Sequence, residues 1–148
     1  MKVYQSPSLT VDAIVQNKDK ILTIRRKNDP FKDNLALPGG FVNYGERVED
    51  AVIREILEET SIEISPVHVL GVYSDPIRDP RKHTVSIAFV GIIVSGEAKA
   101  SDDAKEIEWI DIKNIFKYKY AFDHGVIVND YIQWRNSEGT FWSSKRRN

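Results

Sequence analysis

A chain of 148 residues, 41% hydrophobic and 29% charged, has the size and balance of one folded domain, which excludes a disordered or low-complexity chain. A formal net charge of −1 gives no global attraction to polyanions, and nucleic acid is not an expected partner. There is no cysteine, so disulfides, thiolate metal sites and a thiol nucleophile are excluded.

The N-terminus from Met1 to Pro7 lacks the apolar run of a secretory signal. The longest apolar stretches, such as Ile87 to Val94, are too short to span a bilayer, and a cytoplasmic protein without membrane contact is expected. Leu9 to Val15 and Lys20 to Arg25 read as strands of a hairpin closed by Gln16-Asn17-Lys18-Asp19. Asn28 to Asn34 is polar around Pro30 and predicts a loop. Leu35-Ala36-Leu37 is a short apolar run stopped by Pro38-Gly39-Gly40, a strong turn signal. A long helix then runs from about Glu46 to Thr60. Val67 to Tyr73 and Thr84 to Val94 are rich in β-branched residues and predict strands, separated by a polar segment with two Asp-Pro pairs. Glu106 to Ile110 alternates like a further strand. Asp111 and Asp123 are candidate caps of two last helices, through Phe116 and about Trp134. This order predicts a mixed α/β or α+β sheet covered on both faces, in a single domain over 1–148 with a frayed tail at 143–148.

The helix carries the chemistry. Glu55, Glu58 and Glu59 stand at i, i+3 and i+4 and share a face, while Ile53, Ile56 and Leu57 are expected to anchor the other side to the core. Three stacked carboxylates repel one another, and in the C-terminal half of a helix the macrodipole disfavours them as well. A hard divalent cation removes that conflict, because Mg²⁺ takes oxygen ligands from a few carboxylates and from substrate phosphate. A solvated acidic surface is the bland alternative. The upstream corner Leu37-Pro38-Gly39-Gly40 and the extra carboxylate of Glu46 favour the metal, since a Gly-rich loop entering an acidic helix can cradle a metal-diphosphate.

Gly40, five residues, Glu46, seven residues, and then Arg54-Glu55-Ile56-Leu57-Glu58-Glu59-Thr60-Ser61-Ile62 resemble the box of the Nudix hydrolases. Every defining position matches except the last glycine, where Ser61 stands. That position often ends a helix in the left-handed region, which costs serine on the order of 1 kcal/mol and removes no ligand. The segments around Asp29-Pro30-Phe31 and Ser74 to Ser86 are similar to those of hydrolases of the ADP-ribose pyrophosphatase kind.

The resemblance implies an α/β/α sandwich with a mixed sheet and a loop-helix-loop box. It implies that Glu55 and Glu59 bind metal, with Glu58 as a third ligand or the base, and that the Gly40 carbonyl adds a ligand. Arg54 would hold the glutamates by ion pairing, and Glu46 would support the loop and Arg54. The reaction would be attack of water on phosphorus with Mg²⁺, or Mn²⁺ in its place, neutralising the diphosphate. Asp102, Asp103 and Glu106 are rival bases. Gly39 belongs to the substrate cradle. Arg78, Arg81 and His83 are candidates for the phosphates or a terminal ribose, against a plain solvated loop. Phe31 and Tyr44 are candidates for stacking on a base, against local packing. His68 and His124 have no partners at ligand spacing and read as structural or solvated. The later tryptophans either pack or meet a second copy in a homodimer.

Three functions compete. The first is hydrolysis of a nucleoside diphosphate linked to another group, with ADP-ribose the leading substrate. The second is pyrophosphohydrolysis of nucleoside triphosphates. The third is a ligand-sensing module without catalysis.

Overall fold

The computed structural model describes residues 3–99 and 106–142. Alternating apolar residues give β1 (Ser8–Asn17) and β2 (Lys20–Arg25), with Asn17 opposite Lys20 across a two-residue turn. The polar loop leads to two short strands, β3 (Leu35–Ala36) and β4 (Gly39–Phe41), on either side of Leu37-Pro38. Helix α1 (Val48–Thr60) starts two residues later than expected, after an extended Arg47, and carries Glu49 and Asp50 in its first turn, where the dipole favours them. It stops at Ser61, whose φ of 64° is left-handed and whose N–H reaches back to the Leu57 carbonyl.

β5 (Glu63–Tyr73) begins well before the expected Val67. Pro66 obscured this in the sequence, since proline argues against a strand interior. Here a register irregularity between Pro66 and His68 accommodates it. β6 (Thr84–Ser95) and β7 (Glu106–Asp111) follow, then a 3₁₀ helix, Ile112–Lys117, whose Lys113 N–H donates to the Asp111 side chain at 3.1 Å. α2 (His124–Ser137) and a short strand β8 (Phe141–Trp142) end the described chain.

The strands join one mixed sheet in the order β3-β2-β1-β6-β5-β8, with β4 on β1 and β7 on β2. β1 lies parallel to β6 over eight residue pairs, from Ser8 opposite Thr84 to Val15 opposite Gly91, and meets β4 antiparallel at Thr10 to Asp12. Alternate residues of β1 therefore serve opposite faces. Val11, Ala13 and Val15 pack with Ala51, Val52 and Ile56 of α1. Ile14 packs with Leu70, Ala88 and Val90 of the sheet and Ile127, Val128 and Tyr131 of α2. Each such large side chain removed from water contributes roughly 1.5–3 kcal/mol. The result is a mixed sheet covered on both faces, as the element order predicts, in the α/β/α sandwich that the resemblance implies. No helix among the described residues is long and apolar enough to cross a membrane.

One expectation about α1 is corrected. Its buried residues are Ala51, Val52, Ile56 and Thr60, while Ile53 is only partly covered and Leu57 is 49% exposed. Around a helix of roughly 100° per residue, Glu55 and Glu59 fall about 40° apart in the arc between the buried Ala51 and Val52. The helix rolls to bring those two carboxylates toward β4, and Leu57 turns outward with the roll.

Candidate active site

The site begins with the absence of two side chains. A Cβ on Gly40 would overlap the carboxylate of Glu55. One on Gly39 would strike the backbone of β1 and lie 2.6 Å from an Asp12 carboxylate oxygen. The glycine pair thus lets β4 lie against β1 and α1 at once. The Gly39 N–H donates to Glu59 Oε2 at 3.3 Å. Glu55 and Glu59, one helical turn apart, face the same cavity of about 670 Å³ as both glycines.

Arg54 organises the other carboxylates. Its Nε and Nη2 hold Glu46 in a two-pronged pair at 2.8 and 2.9 Å, Nη1 donates to Glu55 at 2.8 Å and to Glu58 at 3.2 Å, and Nη2 also reaches the Phe41 carbonyl at 3.0 Å. Glu46 further accepts the Asn43 N–H at 3.0 Å, which closes the loop before α1. The Arg54 guanidinium, helped by that N–H, holds the Glu46 carboxyl down to about 2. Glu46 and the neighbouring carboxylates raise Arg54 above the ordinary arginine value in return. This is the supporting role expected of Glu46 and Arg54. Glu58 stands apart: its side chain is 58% exposed, it is tied to Arg54, and it does not line the cavity.

Whether these groups suit a divalent ion can be judged from their chemistry. Glu55, Glu59 and the backbone of Gly39 and Gly40 offer hard oxygens at one end of the cavity, beside a glycine whose missing Cβ leaves room for the Glu55 carboxylate. Among the described residues no three acidic or histidine side chains converge tightly enough to form a complete cage. That suits Mg²⁺, which keeps several waters and shares its remaining positions with substrate phosphate.

The rest of the lining is largely cationic and aromatic. Arg26, at the end of β2, lies over the Phe122 ring at 5.0 Å and donates to the Pro30 carbonyl at 2.7 Å. Burial, reinforced by nearby Arg81, pushes its pKa below the ordinary arginine value. Asp79 and Glu59 act in the other direction without outweighing it. Arg81 approaches the same ring at 5.6 Å and is held by Asp79 through a forked pair at 3.0 and 2.9 Å. Phe41 lies at the cavity edge beneath the Lys82 ammonium, 4.8 Å from its ring centre.

The predicted substrate residues divide. Arg78 and Arg81 do line the cavity, yet Arg78 is buried and its fork is engaged by Asp123 at 2.9 and 2.6 Å. Asp123 was read as a helix cap, but its side chain caps nothing and serves Arg78 instead. Phe31 packs edge-on against Phe122 and does not line the cavity, and Tyr44 is fully exposed away from it. His83 ties the loop ends through the Ser74 carbonyl at 3.1 Å, and His68 reaches the Gly139 carbonyl at 2.9 Å. Glu106 pairs with Lys27 at 2.6 Å, while Asp102 and Asp103 lie outside the described residues. Sequence reasoning missed Arg26, Phe41 and Phe122 as cavity residues and Asp12 beneath them. Phe41 was within reach, since it follows the glycine pair; nothing in the pattern around Phe122 marks it.

With this geometry in view, a model of the NUDIX domain matches residues 7–131. The chain belongs to the Nudix family. It is 52% identical over 135 residues to an ADP-ribose pyrophosphatase of Methanocaldococcus jannaschii, covering 91% of this chain and 79% of that one. It is 30% identical over 128 residues to the ADPR responsive transcriptional repressor NtrR of Acinetobacter baylyi, covering 82% of this chain but only 51% of the repressor. Among solved structures, a bifunctional NMN adenylyltransferase/ADP ribose pyrophosphatase of Francisella tularensis, complexed with AMP and a Mn ion, superposes with a TM-score of 0.70 at 32% identity, over 92% of this chain and 43% of that one. Family membership and the intact set of box glutamates make this chain a Nudix pyrophosphohydrolase, of a family that generally works with a divalent metal.

Proposed function

We propose that this pyrophosphohydrolase splits the diphosphate of ADP-ribose, giving AMP and ribose 5-phosphate, with Mg²⁺ as its ion and Mn²⁺ as a substitute. The observation that carries the reading is the Gly40–Glu55–Glu59 corner opening on the cavity wall of Arg26, Arg78 and Arg81, in a chain 52% identical to an ADP-ribose pyrophosphatase. Glu55, Glu59 and the Gly40 carbonyl would hold the ion. When bound, it neutralises charge on the diphosphate oxygens and makes water a stronger nucleophile. Arg54 keeps Glu55 aimed into the cavity and Glu46 keeps Arg54 in place. Arg26, half-buried on the cavity lining and only partly offset by Asp79 and Glu59, suits a phosphate oxygen, because a cation withdrawn from water is stabilised by an anion brought to it. Arg81 stands on the same wall for the sugar or phosphate beyond. Glu58, outside the cavity, serves better as a support of Arg54 than as a ligand. Phe41 and Phe122 replace Tyr44 and Phe31 as the aromatic surfaces for substrate. Small nucleotides are the partners in this reading, with no nucleic acid. The setting is cytoplasmic, and a homodimer would place the exposed Trp142 of β8 at the contact.

A panel of ADP-ribose, other diphosphate-linked nucleosides and the four dNTPs, assayed with Mg²⁺, tests the substrate. ADP-ribose is expected to give the highest kcat/KM. Good turnover of dNTPs with no AMP released from ADP-ribose sinks the assignment.

A further inference from the structure

Three consecutive residues at the start of α2 each hold a different group around the cavity. Phe122 carries Arg26 and Arg81 on its ring. Asp123 takes the fork of Arg78 from the Asp-Pro loop, and both side chains are under a tenth exposed. His124, wholly buried, accepts the Leu37 N–H on Nδ1 at 2.9 Å. That bond leaves the proton on Nε2, 3.7 Å from an Asp12 carboxylate oxygen, and Asp12 in turn accepts the hydroxyl of Ser86.

These grips are unequal in what they can affect. Leu37 lies between β3 and β4, where its N–H has no strand partner, and a buried N–H requires an acceptor. Gly39 and Gly40 follow at once, one donating to Glu59 and the other making room for Glu55. A shift of the Leu37 backbone therefore moves the surface on which both carboxylates rest. The Asp123 side chain makes no hydrogen bond to this corner and is engaged by Arg78. Its carboxylate forgoes the capping of α2 to fix Arg78, and thereby the loop from Ser74 to His83 on the substrate side.

We propose that His124 and Asp123 are positioning residues for two separate ends of the cavity: His124 sets the Leu37–Gly40 corner for the metal ion, and Asp123 sets the Arg78 loop for the substrate. The assignment rests on the reading of Glu55 and Glu59 as the metal end. The test compares His124→Leu, His124→Asn and Asp123→Asn in the whole chain. Mn²⁺ affinity is measured by EPR titration without substrate, and kcat and KM for ADP-ribose at saturating Mg²⁺. His124→Leu should weaken Mn²⁺ binding by about 10- to 100-fold, the usual effect of losing a group that orients a ligand, with KM little changed. His124→Asn, whose Oδ1 can take the place of Nδ1, should recover most of that affinity. Asp123→Asn should raise KM about tenfold and leave Mn²⁺ affinity within about twofold. Equal movement of both quantities in both variants overturns the division, as does wild-type Mn²⁺ affinity in His124→Leu. If His124→Leu does not fold, the His124→Asn and Asp123→Asn pair decides: failure of Asp123→Asn to move KM alone counts against the proposal. The Mn²⁺ arm needs no substrate, so a wild type that binds Mn²⁺ but leaves ADP-ribose intact removes the proposed substrate and not the role of His124.

Discussion

The box from Gly39 to Thr60 and the wall formed by Ser74–His83 with Ala121–His124 face each other across one cavity, yet they are built by different rules. In the box the side-chain hydrogen bonds stay within its own segment, the longest in sequence joining Gly39 to Glu59. Arg54 reaches Glu46 eight residues back, and Glu55 and Glu58 on its own helix. The wall is assembled over distance, since Arg78 meets Asp123 45 residues away, and the entry to the box is tied to the start of α2 at one point, where Leu37 meets His124 87 residues away. Local spacing can be kept by a helix alone. The distant pairs depend on the whole sandwich being correctly packed. The box is thus largely set by its own segment, while the wall exists only once the start of α2 is packed in place.

Glu59→Gln attacks the box where it matters most, and kcat/KM for the hydrolysed nucleotide should fall by roughly 10²- to 10³-fold with the fold intact by circular dichroism. Unchanged hydrolysis would mean that the acidic helix is only a surface. Gly40→Ala tests the same corner without touching a charge. Its added methyl must displace the Glu55 carboxylate, and a displacement of the order of an ångström should cost about 10²-fold in kcat. Arg54→Lys keeps the charge but loses the fork on Glu46, so a loss of about 10- to 100-fold in kcat/KM is expected, larger than that of any single change in the Arg81 loop. If Arg81→Gln proves more damaging than Arg54→Lys, the ranking of box over wall is reversed.

The legibility of the site follows the same divide. Glu55 and Glu59 can be read because helical periodicity turns spacing into geometry, whereas Arg54 and Glu46 are legible only through the resemblance to the Nudix box. Even there the roll of α1 was hidden: Glu55 and Glu59 go with the buried stripe, and Glu58 does not, because β4 and not the helix decides which carboxylates are drawn inward. Leu57 was misassigned for the same reason. In the wall, Arg78 lines the cavity, but its partner Asp123 reads as a helix cap, a role that local sequence alone favours. Tyr44 and Phe31 were plausible from proximity to the glycines. The cavity uses Phe41 and Phe122 instead, and Phe122 comes to it only through the path of the chain into α2. The strands were mostly recovered from β-branched runs, whereas β8 is a two-residue edge strand with no pattern to announce it.

The smallest effect belongs to the one departure from the box. Ser61 holds a φ of 64°, so Ser61→Gly should raise stability by about 1 kcal/mol in urea unfolding and leave turnover unchanged. No gain would mean that the left-handed turn costs serine little here.

The central claim is that the box glutamates hydrolyse ADP-ribose with a divalent ion, and chelation tests it most directly. The wild-type chain should convert ADP-ribose to equal amounts of AMP and ribose 5-phosphate, lose that activity in EDTA, and regain it with Mg²⁺. Hydrolysis that persists through complete chelation, or none at any Mg²⁺ concentration, would contradict the claim.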